Sequence, residues 1–457
     1  MEHRPIEAIE RGSIVVADPL LWASTSVAPE QSARTLGGRP YVTMAVSAAM
    51  VLTSPLTFVA ASALRLAALT ETVRTPPTEP PPLSDEALPT YSVLVPLYRE
   101  ADVVQDLARA MLALDYPADL LEVLILLEEG DAGTIEAARV HMAHAPFRVV
   151  VVPDGSPRTK PRACNYGLAL SRGELVTIFD GEDVPDPDQL RRVAAVMASD
   201  PGLAVAQCRL FCDHADGGGV IERLWALDYQ MLFGAILPAL SRAGLPFLIG
   251  GTSNHLRKDV LVSVGGWEAH NVTEDAELAV RLARAGWRSR FVDSGTGEEA
   301  PTTVRAWVRQ RSRWLKGFLV TSLVHGRRPM RMFGDLGLRR FLALYAQLVG
   351  TLMGASAFPI GIAILIVGIG PWNPQTWLLV GGMGTSGLLA IASAMKRSRT
   401  PGVEPWLVMA LPVYWLLLSA AMAVAIIEMP RRATMWRKTR HGIATRPAGP
   451  MTPAGGD

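Results

Sequence analysis

Acidic residues gather where short apolar runs end. Pro96-Leu97-Tyr98-Arg99-Glu100 follows the run 91–95, Glu128-Glu129 follows 122–127, and Asp180-Gly181-Glu182-Asp183 follows 175–179. If these runs are neighbouring strands, the clusters share one sheet edge and repel one another unless something positive sits among them. A divalent metal on a diphosphate is the natural occupant, since hard cations take oxygen ligands, often one or two carboxylates plus phosphate oxygens. Alternate side chains of an extended segment point the same way. Asp180 and Glu182 can therefore face one ion, while Gly181 lets the backbone come close. Any single cluster reads equally as a solvated loop, and the repetition at strand ends is what favours a site.

Further groups follow along the chain. Lys160, Arg162 and Asn165 stand about the start of a helix expected over 163–171. They could hold donor phosphates or form a surface basic loop. Thr273-Glu274-Asp275 precedes an amphipathic helix over 275–285. An acid there serves the helix dipole, or it acts as the general base that deprotonates an acceptor hydroxyl. Inversion by single displacement needs one such carboxylate and no second acid if a metal stabilises the departing diphosphate. Gln310-Arg311-Ser312-Arg313-Trp314 lies on a stretch rich in Trp and Arg. Trp stacks on sugar rings and Arg neutralises pyrophosphate, but such a helix is also a common membrane-surface anchor.

Strand and helix patterns alternate around these residues. Apolar runs at 91–95, 122–127, 148–152, 175–179 and 203–207 read as strands, with helical segments such as 100–113 and 133–144 between them. Alternating βαβ units predict an α/β domain over 91–300 with a doubly wound, mostly parallel sheet. Ligands of such sheets bind beyond the carboxyl ends of the strands.

Membrane segments flank this domain. After an N-terminal segment 1–40 that does not read as a cleavable signal, no charge occurs between Arg39 and Arg65. That is long enough to cross a bilayer core of about 30 Å, and a transmembrane helix is expected over 41–69. A Pro-rich linker, 70–90, follows. Beyond the interfacial region 301–340, spans are expected at 341–370 and 377–395, with a spanning or interfacial helix at 405–427 and a basic tail at 428–457. Lys/Arg counts near the span ends place the domain on the cytoplasmic side of the cell (inner) membrane. They also place the tail there, which holds if 405–427 lies in the interface.

Composition sets bounds on function. The 457 residues are 49% apolar and 19% charged, which fits a mixed soluble and membrane chain. A net charge of +1 lacks the clustered basic excess that nucleic-acid binding needs. Three cysteines cannot build a disulfide framework. A metal site at Cys208 and Cys212 would have only His214 nearby, so free thiols in a reducing compartment are expected.

Together the motifs resemble family 2 glycosyltransferases, in particular the membrane-bound branch containing bacterial cellulose synthase. The family carries an early acidic residue, a DxD motif, a TED motif and a QxxRW motif in that order. Here these are Glu128/Glu129, Asp180-Gly181-Glu182, Thr273-Glu274-Asp275 and Gln310-Arg311-Ser312-Arg313-Trp314. The resemblance implies a GT-A fold combined with transmembrane and interfacial helices, a nucleotide-sugar donor, with a UDP-sugar expected, and Mg²⁺ or Mn²⁺. It implies that Glu100 and Glu128 line the uridine pocket and that Lys160 and Asn165 touch the donor. Asp180 and Glu182 would meet diphosphate and metal. Asp275, beside Glu274, would be the base. Gln310 and Arg313 would hold the diphosphate and Trp314 the terminal sugar of the acceptor, with Thr252, Asn254 and His255 lining the acceptor site. The sequence departs from the common pattern in having Glu at 128 and 182, one methylene longer than Asp. The resemblance also implies a gating loop around Trp436, Lys438 and Thr439.

The expected function is inverting sugar transfer to a growing polysaccharide, coupled to export. With so few spans, a pore would call for an oligomer or an export partner. The alternatives are transfer of one sugar to a lipid acceptor and, in another class, an inactive membrane scaffold. The last is disfavoured because every acidic motif position remains acidic.

Overall fold

The computed structural model describes residues 57–74, 79–213, 218–367, 374–395 and 402–432. Its centre is an eight-stranded sheet in the order β3-β2-β1-β4-β7-β6-β8-β5. The strands are β1 Tyr91–Leu97, β2 Leu121–Glu128, β3 Phe147–Val152, β4 Leu175–Ile178, β5 Val184–Pro185, β6 Leu203–Cys212, β7 Asn254–Arg257 and β8 Arg288–Glu298. β3, β2, β1 and β4 run parallel. They read as continuous Val/Leu/Ile runs because both faces of a parallel sheet are covered by helices.

The sheet is more mixed than expected. β7 runs antiparallel to both β4 and β6, and β5 is antiparallel to β8. Neither β7 (Asn-His-Leu-Arg) nor β8 carries an apolar run. β7 has buried polar side chains that bond within the protein, so hydrophobic patterning does not reveal it.

Helices cover both faces. On one side are α2 Val104–Leu112 and α5 Gln189–Ser199. On the other lie α4 Lys160–Leu170, α6 Val220–Arg242, α7 Lys258–Ser263, α8 Glu274–Arg284 and α9 Val304–Gly326. Helix α3, Ala132–His141, packs on the same face as α2, with Ala138 in that core. Cys164, Cys208 and Cys212 are buried free thiols.

Among the described residues, four more apolar helices pack beside this core. They are α1 (57–71), α10 Pro329–Val367 with a break at Gly337, α11 Pro374–Met395 and α12 Leu411–Arg432, which follows a 3₁₀ turn Pro405–Ala410. Among the described residues, three helices are long and apolar enough to cross a membrane: Val220–Arg242, Pro329–Pro359 and Pro405–Met429. The sequence reading does not expect the first of these. It holds Glu222, Arg223 and Asp228, and 61% of its apolar window is buried within the protein. Residues 1–56 and the tail beyond 432, with Trp436, Lys438 and Thr439, lie outside the described residues, so the first half of the expected N-terminal span and the gating loop do too.

Candidate active site

The acidic clusters meet. Glu100, Glu128, Asp180, Glu182, Glu274 and Asp275 line one cavity of about 720 Å³, together with Lys160, Thr252, Gln310, Arg313 and Trp314. The parallel strands bring this about: β1, β2 and β4 end at the same edge, so the residues that follow each of them converge.

At the end of β4, Asp180 and Gly181 form a turn. A Cβ on Gly181 would lie 2.9 Å from Leu97 Cδ2, so glycine is what lets this turn pack against β1. The turn is closed from within: the Asp180 amide donates to Asp183 Oδ2 at 2.6 Å, and the Thr252 hydroxyl donates to the same carboxylate. Asp183 is a structural acid inside the motif. Burial raises its pKa well above the carboxylate range, and Asp180, Glu182 and Glu298 add to the rise.

Lys160, the first residue of α4, supplies the positive charge. Its Nζ donates to Asp180 and, at 2.8 Å, to the carbonyl oxygen of Gly251. Burial disfavours the ammonium, but the charges of Asp180 and Glu274 outweigh it and raise the pKa. Two residues on, Arg162 pairs with Glu128 at 3.3 Å. Burial raises the Glu128 pKa against the pull of that guanidinium.

The Thr273-Glu274-Asp275 motif approaches from the other side. Asp275 sits in the first turn of α8, where its Oδ1 accepts from the Ala276 amide at 2.7 Å. Its Oδ2 would be 3.3 Å from a Cβ on Gly251, so the carboxylate lies against the strip of backbone that Lys160 also touches. Burial raises the Asp275 pKa, opposed by the Ala276 amide, Arg313 and Lys160. Glu274 is pushed up to about 7 by burial and by Asp275. Helix α9 holds this turn in place: Arg313 donates to the Val272 carbonyl at 3.1 Å, and Gly317 packs so closely that a Cβ there would collide with the Thr273 side chain.

Trp314 lines the cavity with its ring fixed. It stacks on Tyr229 at 6.4 Å between centroids, and the Arg311 guanidinium lies 4.5 Å from its centre. Arg311 also sits over Trp225 at 4.2 Å and pairs with Asp228. The sequence did not single out Arg311, Asp228 or Tyr229 for this support.

Three expected contact residues are elsewhere. His255 is fully buried, with Tyr91 Oη 2.6 Å from Nδ1 and Gln189 Oε1 3.2 Å from Nε2. Burial lowers its pKa to about 3 and keeps it neutral. Asn254 is buried and donates to the Gly250 carbonyl at 2.7 Å. Asn254 and His255 point to opposite faces of β7, and both are buried because both faces are covered. Asn165 clamps the Trp267 backbone, donating to its carbonyl at 2.7 Å and accepting from its amide at 2.8 Å. None of the three lines the cavity, which Thr252 does.

Among the lining residues that the sequence did not reveal is a further acid. Glu298 ends β8 and is pushed up to about 8 by burial and by Glu182. Its signal is the acid pair Glu298-Glu299 after a strand, but the strand itself was not legible.

The donor set fits a hard divalent cation. Asp180 and Glu182 offer oxygen ligands, and the raised pKa values of Asp183 and Glu298 record carboxylate crowding that a cation would relieve. Among the described residues no three His, Cys, Asp or Glu side chains already form a ligand cluster.

Comparison with known proteins agrees with the fold. The beta-monoglucosyldiacylglycerol synthase of Synechocystis is 25% identical over 84% of this chain and 83% of its own length. Glucomannan 4-beta-mannosyltransferase 1 of rice is 27% identical over 53% of this chain and 48% of its own. The chain spans about half the length, or less, of several curated relatives that it matches. The solved mannosyltransferase PcManGT from Pyrobaculum calidifontis, in complex with GDP-Man and Mn²⁺, shares the fold with a TM-score of 0.54 at 19% identity, covering 83% of this chain and 97% of that one. The family model described as glycosyl transferase family group 2 matches residues 175–427, more than half of the chain. With a GT-A type sheet and the four motifs around one cavity, this chain is a glycosyltransferase that belongs to glycosyl transferase family group 2.

Proposed function

We propose that the enzyme moves a sugar, with inversion, from a nucleoside diphosphate sugar to a lipid acceptor that reaches the site from the membrane side. One observation carries this. The cavity that holds Asp180, Glu182 and Asp275 continues between the apolar helices, where Phe58, Leu64, Leu232, Ile236, Phe358 and Leu418 line it. Ligand sites usually have volumes of about 300–1,000 Å³, so there is room for a donor head and an acceptor end. Apolar walls suit an acyl or isoprenoid chain. Sugar hydroxyls against them would lose hydrogen bonds to water without replacement.

The residues take these roles in the proposal. Glu100 and Glu128 face the nucleoside, with uridine the expected base. Lys160, Gln310 and Arg313 hold the diphosphate, charge against charge. Asp180 and Glu182 hold Mg²⁺ or Mn²⁺, which when bound stabilises the leaving diphosphate as a Lewis acid. Asp275 takes the proton of the attacking acceptor hydroxyl. Its burial raises its basicity, and the Ala276 amide fixes its orientation. Exposed arginines at 327, 328, 331 and 339 support a cytoplasmic catalytic face at the cell (inner) membrane.

The likeness to the Synechocystis glycolipid synthase, which extends over most of both chains, supports the lipid reading. A second reading, elongation of a polysaccharide, is supported by the rigid Trp314–Tyr229 pair in the wall and by the likeness to the rice mannosyltransferase. The test is the product made by full-length protein in detergent from a panel of labelled UDP- and GDP-sugars, with and without added lipid. Label in the organic phase as a one-sugar lipid supports the proposal. A lipid-independent ladder of water-soluble products supports the second reading instead.

A further inference from the structure

Helix α1 brings a guanidinium into the membrane-side half of the cavity. Arg65 lines it, beside Ala61 and Leu64. An ionisable side chain on a helix among apolar helices is costly, and it marks a ligand or a buried ion partner. No carboxylate among the described residues pairs with Arg65.

The acids that could reach it are committed elsewhere. Helix α1 packs against α6, α10 and α11: Ala68 sits with Ala235 and Leu389, and Ala61 Cβ would be 3.5 Å from a Cβ on Gly350. On α1 and the turn after it, the one acid is Glu71, which accepts from Arg242 and Arg74. On α6, Glu222 accepts from the Gly219 amide at 2.6 Å and Asp228 pairs with Arg311. On α10, Asp335 pairs with Arg284 at 2.7 Å. The described part of α11 has no acid.

We infer that Arg65 is the anion subsite of the acceptor cavity and that the acceptor is a lipid carrying a phosphate group beside the hydroxyl that takes the sugar. The inference rests on the lipid reading above and narrows it. A guanidinium binds phosphate oxygens through paired N–H donors. Here it does so beside walls that take a hydrocarbon chain, so both ends of one amphiphile are satisfied within one cavity.

The experiment uses the full chain in detergent and two matched lipid pairs whose members all keep a free hydroxyl: lysophosphatidic acid with monoacylglycerol, and phosphatidylglycerol with diacylglycerol. Binding is read by native mass spectrometry, and sugar transfer is read separately with labelled donor. Wild type should bind the phosphorylated member of at least one pair about tenfold more tightly. Arg65→Gln should abolish that preference, and Arg65→Lys should keep part of it, which excludes misfolding as the cause. Equal binding of both members by wild type, or an unchanged preference in Arg65→Gln, overturns the inference. The two readings fail differently. If neutral and phosphorylated lipids accept sugar equally and Arg65→Gln is without effect, the lipid reading stands and the anion subsite falls. If phosphate preference depends on Arg65 but no lipid takes sugar, the subsite stands and the acceptor reading falls.

Discussion

Lys160 and Asp180 form an ion pair between α4 and the end of β4, and the same ammonium reaches the carbonyl of Gly251, the residue against which Asp275 lies. One cation thus ties the Asp180 side of the cavity to the Asp275 side. Replacing it leaves Asp180, Glu274 and Asp275 facing one another. Lys160→Met is expected to lower kcat/KM by about 10²-fold or more, the scale of one lost charge-assisted contact in a dry site. Initial rates over a range of donor concentrations measure this. Unchanged kinetics would remove Lys160 from the donor site.

Crowded carboxylates give the site a pH signature. Glu298 has its pKa raised to about 8, whereas in the unfolded chain a Glu titrates near about 4.3. The folded state therefore holds more protons between those values. By linkage its stabilising share is complete below about 4.3 and is lost as pH rises through about 8. Metal-free enzyme should show a falling Tm from pH 5 to 9, and Glu298→Gln should flatten that fall. Mg²⁺ or Mn²⁺ should restore activity after chelation. A Tm profile identical in wild type and Glu298→Gln counts against the crowding.

Gly317 predicts a catalytic effect from a distant substitution. A methyl group there would collide with Thr273, and overpacking of this kind typically costs about 1–3 kcal/mol. Gly317→Ala should displace the turn that carries Glu274 and Asp275, lowering kcat while donor affinity is kept. Paired measurement of kcat and donor Kd decides it.

His255 should matter for stability and not for acceptor selection. It bonds Tyr91 and Gln189 inside the core, and orphaning such buried groups costs about 1–3 kcal/mol each. His255→Ala should lower Tm by several degrees and leave acceptor KM as it was. A raised acceptor KM would return it to the acceptor site.

The contrast between Asp180 and His255 shows what the sequence could reveal. β1, β2 and β4 are buried on both faces and read as uninterrupted apolar runs, so their pattern alone places the acids at their ends together. β7 spends its length on polar groups bonded inside the core, and β8 is mostly glycine, serine and charge. Neither has a hydrophobic period, so the burial of Asn254 and His255 and the arrival of Glu298 at the site stayed hidden. Asn165 is placed by helix geometry: five positions of about 100° each carry it roughly 140° round α4 from Lys160, to the Trp267 backbone. Arg311 was legible as part of a basic and aromatic helix. Its place between Trp225 and Trp314 was not, because those rings come from two helices far apart in the chain.

The central claim is that Asp275 takes a proton in the cavity where Asp180 and Glu182 receive the donor. The direct measurement is Asp275→Asn, with donor Kd and transfer rate determined on the same preparation in the presence of Mn²⁺. The predicted result is an unchanged donor Kd with transfer reduced by about 10²–10⁴-fold, the usual contribution of a general base. Turnover at the wild-type rate in that variant would contradict the account.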